Sequence, residues 1–152
     1  RSAGREVRLD LDVVVLLVDR GPLPCGARQA RPCPTVHDAA EPRGFLVRSE
    51  RDEDKLVCAA DTVNLGYQFP GVTMAAIECN YAEDILERAE RMPEKVRYRV
   101  QNAHMSITKT CLWLEKLDKS RLKEVFLLHL SDACSNEARF LREAGEAVGS
   151  GV

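Results

Sequence analysis

The chain has 152 residues, 45% of them hydrophobic and 30% charged, with a formal charge of −2. That length suits one domain built on one core. The near-balanced charge excludes a general electrostatic attraction to nucleic acid or acidic membranes, though not a local basic patch.

The amino end carries Arg1, Arg5, Glu6, Arg8, Asp10 and Asp12, which is not the pattern of a signal peptide. The apolar run Val13–Val18 is too short to cross a bilayer. A cytoplasmic protein with no membrane association is therefore expected. Val7–Val13 alternates apolar and polar residues and runs on into Val13–Val18, which reads as one half-buried strand. Gly21–Pro34 holds four prolines and two glycines and reads as a loop. Thr35–Pro42 continues it. Gly44–Arg48 and Lys55–Ala60 read as a hairpin around the charged turn Ser49–Asp54, and its return strand delivers Asp61. Val72–Cys79 reads as a buried strand.

Helical spacing follows at Ile85, Leu86 and Ala89, with Pro93 as the stop. Lys95, Arg97 and Arg99 form a basic cluster, whose ordinary role is a solvated face. Ser106 is suited to cap a helix over Ile107–Leu117, with Ile107, Cys111, Leu114 and Leu117 as its apolar stripe. Val125–Leu128 is a short buried strand ending in His129, and a last helix runs from Asn136 to about Val148. The expected order is β, loop, ββ, β, α, α, β, α. Neither GxGxxG nor GxxxxGK[ST] occurs, so a nucleotide-binding loop has no support. The six cysteines include no CxxC pair, which argues against a zinc ribbon. They read as small buried hydrophobes in a reducing compartment.

Four positions stand apart: His37, Asp61, His104 and His129, which include all three histidines. Each sits at a strand end or helix start among small or polar residues. Taken singly, each has an ordinary role as a surface or capping histidine, or as a turn aspartate. Taken together, imidazole nitrogens and a carboxylate are a ligand set for zinc or a similar divalent ion. Both alternatives are open on the residues alone.

In chain order come Val36-His37-Asp38-Ala39, Pro42, Gly44-Phe45-Leu46-Val47, Ala60-Asp61-Thr62, Ile77-Glu78-Cys79-Asn80-Tyr81, Ala103-His104-Met105-Ser106 and Leu128-His129-Leu130-Ser131. This succession resembles the carboxyl-terminal half of the metallo-β-lactamase-fold hydrolases, nearest to their single-domain phage and bacterial phosphohydrolase branch. The resemblance implies an α/β fold, half of an αββα sandwich, with a mixed sheet and helices on one face. Residues 35–148 would form that half. Residues 1–34 would be a divergent strand and loop, and residues 149–152 a tail.

The resemblance implies His37 and His129 as ligands of separate metals and Asp61 as the bridge between them, with zinc, or else manganese, as the ion. His104 would be the general acid beside the substrate phosphate. Glu78, Asn80 and Ser131 would hold the ligands from behind. The implied reaction is hydrolysis of a phosphodiester, small or within nucleic acid, with metal-activated water as the nucleophile. The chain departs from the family at Ala60, Val63 and Ala103, and it has no HxHxDH motif. A second chain or a homodimer would then complete the fold. The alternative is a catalytically inactive fragment or association module of the same fold.

Overall fold

The computed structural model describes residues 7–9, 13–17, 28–49 and 53–149. They form strands β1 (Val7–Leu9), β2 (Val13–Leu17), β3 (Arg28–Pro34), β4 (Arg43–Ser49), β5 (Lys55–Ala59) and β6 (Met74–Glu78). Helices α1 (Glu83–Arg88), α2 (Glu94–Ala103) and α3 (Ile107–Lys116) follow, then β7 (Glu124–Leu128) and α4 (Glu137–Val148). The strands make one mixed sheet in the order β1-β2-β7-β6-β5-β4-β3. Strands β5, β6 and β7 are mutually parallel, and the remaining pairs are antiparallel. The fold is α/β.

The parallel trio is the core because its residues fit it. Val57, Ala75 and Val125 lie in register across it, as do Ala59, Ile77 and Leu127. All six are fully buried. They form one cluster with Ile107, Trp113 and Leu114 of α3 and Phe140, Ala144 and Val148 of α4. Side chains alternate between the faces of a strand. The opposite face therefore carries Leu56, Cys58, Met74 and Phe126, which are only half-buried, beside Phe45 of β4 at 44% exposure.

Both well-formed helix starts follow the sequence signals. Ser106 accepts from the Lys109 N–H at 3.4 Å and caps α3. Asn136 Oδ1 accepts from the Arg139 N–H at 2.9 Å and caps α4. No helix among the described residues is long and apolar enough to cross a membrane.

Three expectations are corrected. The run from Val7 to Val18 is not one strand. It holds two strands, β1 and β2, paired antiparallel with Leu9 opposite Val13 and Val7 opposite Val15, a pairing that the apolar pattern does not reveal. The Pro-rich stretch is not loop to its end: Arg28–Pro34 pairs along its length with β4. Pro32 and Pro34 are tolerated there because β3 is the last strand of the sheet, where a missing N–H breaks no ladder. The basic cluster Lys95, Arg97, Arg99 lies on a helix, α2, and Pro93 stands at its N-cap rather than stopping α1, which ends earlier at Arg88. That helix escapes periodicity because Ala103 is its sole buried residue. The remainder of the expected loop, 21–27, the turn residues 50–52 and the tail 150–152 lie outside the described residues.

Helix α1 is tied to α4 by Arg139, which donates to Asp84 Oδ1 at 2.7 Å and to Glu143 Oε1 at 2.7 Å. The Arg139 hydrogen bond holds the Asp84 carboxyl below the usual carboxylate range. A depressed carboxyl stabilises the fold above its unfolded value and loses that contribution as pH falls through the folded value. Arg139→Ala is expected to lower the thermal midpoint at pH 7, with the difference from wild type closing as pH drops through the acid range. Melting curves from pH 7 to pH 2 check this.

Candidate metal centre

Parallel strands bring their carboxyl ends to one edge of a sheet, where ligands bind in α/β folds. Glu78 is the last residue of β6, His129 follows β7, and Asp61 lies just beyond β5. His104 closes α2 and precedes α3. His37 lies in the segment joining β3 to β4. The fold thus carries all three histidines and Asp61 to one place.

Glu78 organises the centre. Its side chain is completely buried. Oε1 lies 2.7 Å from His104 Nδ1 and 3.1 Å from His129 Nδ1, and Oε2 accepts from the Thr62 backbone N–H. A carboxylate only accepts, so both Nδ1 atoms carry hydrogen towards it. His104 Nε2 is then the ring nitrogen free of Glu78, while His129 Nδ1 lies as close to Asp61 as to Glu78. The Glu78 hydrogen bond raises the His104 pKa above the usual imidazole value, against the lowering effect of burial.

Asp61 stands in front, half exposed. Its Oδ1 lies 3.0 Å from His129 Nδ1, 3.9 Å from His104 Nδ1 and 4.0 Å from His37 Nε2. The rings of His37 and His104 are 5.5 Å apart, and those of His104 and His129 are 4.9 Å apart. Donor atoms of Asp61, Glu78, His104 and His129 all fall within 4.8 Å of one another. His37 Nε2 is buried with no hydrogen-bond partner. Nitrogen and carboxylate donors in this grouping, with one bare buried nitrogen, fit a divalent cation.

The backbone is bent to the purpose. Asp61 (φ 51°) and His129 (φ 60°) both adopt the left-handed conformation, which costs energy for any residue with a Cβ. Asn80 Nδ2 donates to the His129 carbonyl at 2.7 Å and the Cys79 N–H to the Leu128 carbonyl at 2.9 Å, which hold that turn. The Ser131 N–H donates to the Asn80 carbonyl at 2.9 Å, so Ser131 braces the loop through its backbone. The Asn80 N–H donates to the Met105 carbonyl at 2.8 Å, which anchors the segment next to His104.

Two features have little or no sequence signal. Fully buried Thr62 accepts from the Val36 N–H at 3.1 Å and donates to the Asn64 carbonyl at 2.8 Å, stitching the His37 segment to the Asp61 turn. Its only advertisement is its place after Asp61. Arg99 Nε donates to Asp38 Oδ2 at 3.0 Å, and the two are 61 residues apart. The pairing holds the Asp38 carboxyl below its usual range. No cysteine joins the cluster among the described residues. Burial pushes the Cys79 thiol up, and the Cys111 thiol to about 11, which keeps both as inert thiols.

Compared with known proteins, the chain matches no family model and no curated sequence.

Glu78→Gln keeps the volume but removes the charge that two imidazole N–H groups face. It is expected to cost about 3 kcal/mol of unfolding free energy, measured by urea denaturation. At His129, glycine relieves the left-handed strain that alanine retains. His129→Gly is therefore expected to be more stable than His129→Ala by about 1 kcal/mol in the same measurement.

Proposed function

We propose that this chain is a metal-dependent hydrolase of the metallo-β-lactamase superfamily, acting on phosphodiesters, with His37, Asp61 and His129 as ligands. The observation that carries it is the convergence of every imidazole in the chain on Asp61, at the carboxyl edge of a parallel strand trio. Three of the motifs that resemble the carboxyl-terminal half of that superfamily, those of Asp61, Glu78 and His129, lie at those strand ends. Zinc suits the mixed nitrogen and oxygen donors, and manganese is the second candidate. When bound, the ion would supply Lewis acidity for hydrolysis near neutral pH.

The chain's own residues support the rest of the chemistry. Glu78 holds His104 Nδ1–H at 2.7 Å and favours its protonated form. His104 Nε2–H can then be given to a leaving oxygen while Nδ1–H stays on Glu78, which is the work of a general acid. His104 is mostly buried, so its proton is directed into the centre rather than shared with bulk water. Asn80 and the Ser131 backbone keep the His129 turn in place against its own strain. A cytoplasmic setting belongs to the same proposal, because the five cysteines among the described residues are free thiols, which suit a reducing compartment.

A second reading, association with a further chain or a second copy, is favoured by the half-buried apolar sheet face around Phe45, Leu56, Met74 and Phe126.

Elemental analysis of the purified chain beside Asp61→Ala and His129→Ala separates the two. Equimolar or greater zinc or manganese, lost in both variants, is the expected result, and a bis-phosphodiester turnover assay follows from it. Absence of metal together with dimerisation in analytical ultracentrifugation would replace hydrolase with association.

A further inference from the structure

We propose that Asp38, braced by Arg99, is a positioning residue that sets which nitrogen of His37 faces the centre; this rests on the metal reading above. His37 Nδ1 has two neighbours at the same distance. The Ala39 N–H donates to it at 3.1 Å, and Asp38 Oδ1 lies 3.1 Å away in ion-pair contact. A neutral imidazole has one N–H, so Nδ1 serves one of them at a time.

If Nδ1 accepts from Ala39, the hydrogen sits on Nε2. That atom is buried without a partner, and Asp61 Oδ1 is 4.0 Å away. The result is an unsatisfied buried donor and no lone pair for a cation. If instead Nδ1–H donates to Asp38, Nε2 presents its lone pair to the centre beside Asp61. The carboxylate–imidazole pairing is the one that orients metal-binding histidines. A cation therefore selects the second tautomer, and Asp38 makes that tautomer accessible.

Arg99 makes Asp38 fit for the task. Its Nε takes Oδ2 at 3.0 Å, which leaves Oδ1 to the ring. The pair is solvent-exposed, with 67% and 50% of the two side chains open, so it adds little to stability. Its geometry is better accounted for by the ring it holds. Helix α2 thereby carries two parts of the centre, Arg99 on its side and His104 at its end, although its sole buried residue is Ala103.

The test uses the full chain, with zinc titrated against a competing chromophoric chelator for wild type, Asp38→Ala, Asp38→Asn, Arg99→Ala and Arg99→Lys. Nitrogen-15 NMR of the histidine rings reads the tautomers with and without zinc, and circular dichroism confirms folding. Asp38→Ala is expected to weaken zinc binding about tenfold to a hundredfold. Asp38→Asn, which keeps an acceptor oxygen, falls between it and wild type. Arg99→Ala weakens binding less, and Arg99→Lys restores part of the loss. His37 in zinc-loaded wild type shows hydrogen on Nδ1, and metal-free Asp38→Ala shifts it towards Nε2. Should Asp38→Ala fail to fold, Asp38→Asn and Arg99→Ala carry the same comparison. Zinc affinity equal to wild type in these variants, or an unchanged ring pattern, overturns the inference and leaves the metal centre standing. A wild type that binds no zinc overturns both.

Discussion

A carboxylate with no solvent contact has to be satisfied by its neighbours, and Glu78 is satisfied by three: the Thr62 N–H, His104 and His129. Each comes from a different part of the chain. Thr62 follows β5, His104 ends α2 and His129 follows β7. The burial of one charge at the end of the central parallel strand thus ties three segments together. It also orients both rings, since each Nδ1 faces Glu78. The remaining chemistry of the centre follows from that orientation.

The cost of the arrangement appears in the backbone. Asp61 and His129 are held in the left-handed conformation, and among the described non-glycine residues only Glu53 shares it. Strain of this kind persists where surrounding structure over-determines it. Here the surroundings are visible: Asn80 grips the His129 carbonyl, Thr62 spans from Val36 to Asn64, and the Val63 N–H meets the Val36 carbonyl at 2.7 Å. Beneath them the paired layers Val57–Ala75–Val125 and Ala59–Ile77–Leu127 give a rigid base packed by α3 and α4. A tightly packed interior keeps the strand ends from relaxing away from one another.

The sheet divides the molecule unequally. One face is sealed by α3 and α4, while the other leaves Phe45 open and its neighbours half-buried. The centre sits at the edge, where α2 approaches with its charged side chains. Helix α2 adds little to the core, and its two contributions to the centre, Arg99 and His104, are polar. An element of this kind is retained by what it holds in place rather than by apolar burial.

Most strands and three helices are legible in the sequence because burial leaves a local pattern: short apolar runs in β4, β5 and β7, and the stripe from Ile107 to Leu117. The α/β class follows, and so does the choice of His37, Asp61, His104 and His129 as residues outside core periodicity. Helix α2 lacks that period because it buries almost nothing, and β3 hides behind prolines that only an edge position tolerates. The antiparallel pairing of β1 with β2 is likewise invisible in the pattern. Tertiary structure alone decided the parallel order of β5, β6 and β7, the complete burial of Glu78, the left-handed turns at Asp61 and His129, and the reach of Arg99 to Asp38. The reason is physical: periodicity records which side of an element faces the core. Strand order, backbone strain and hydrogen bonds between segments 26 to 61 residues apart exist only once the chain has closed on itself.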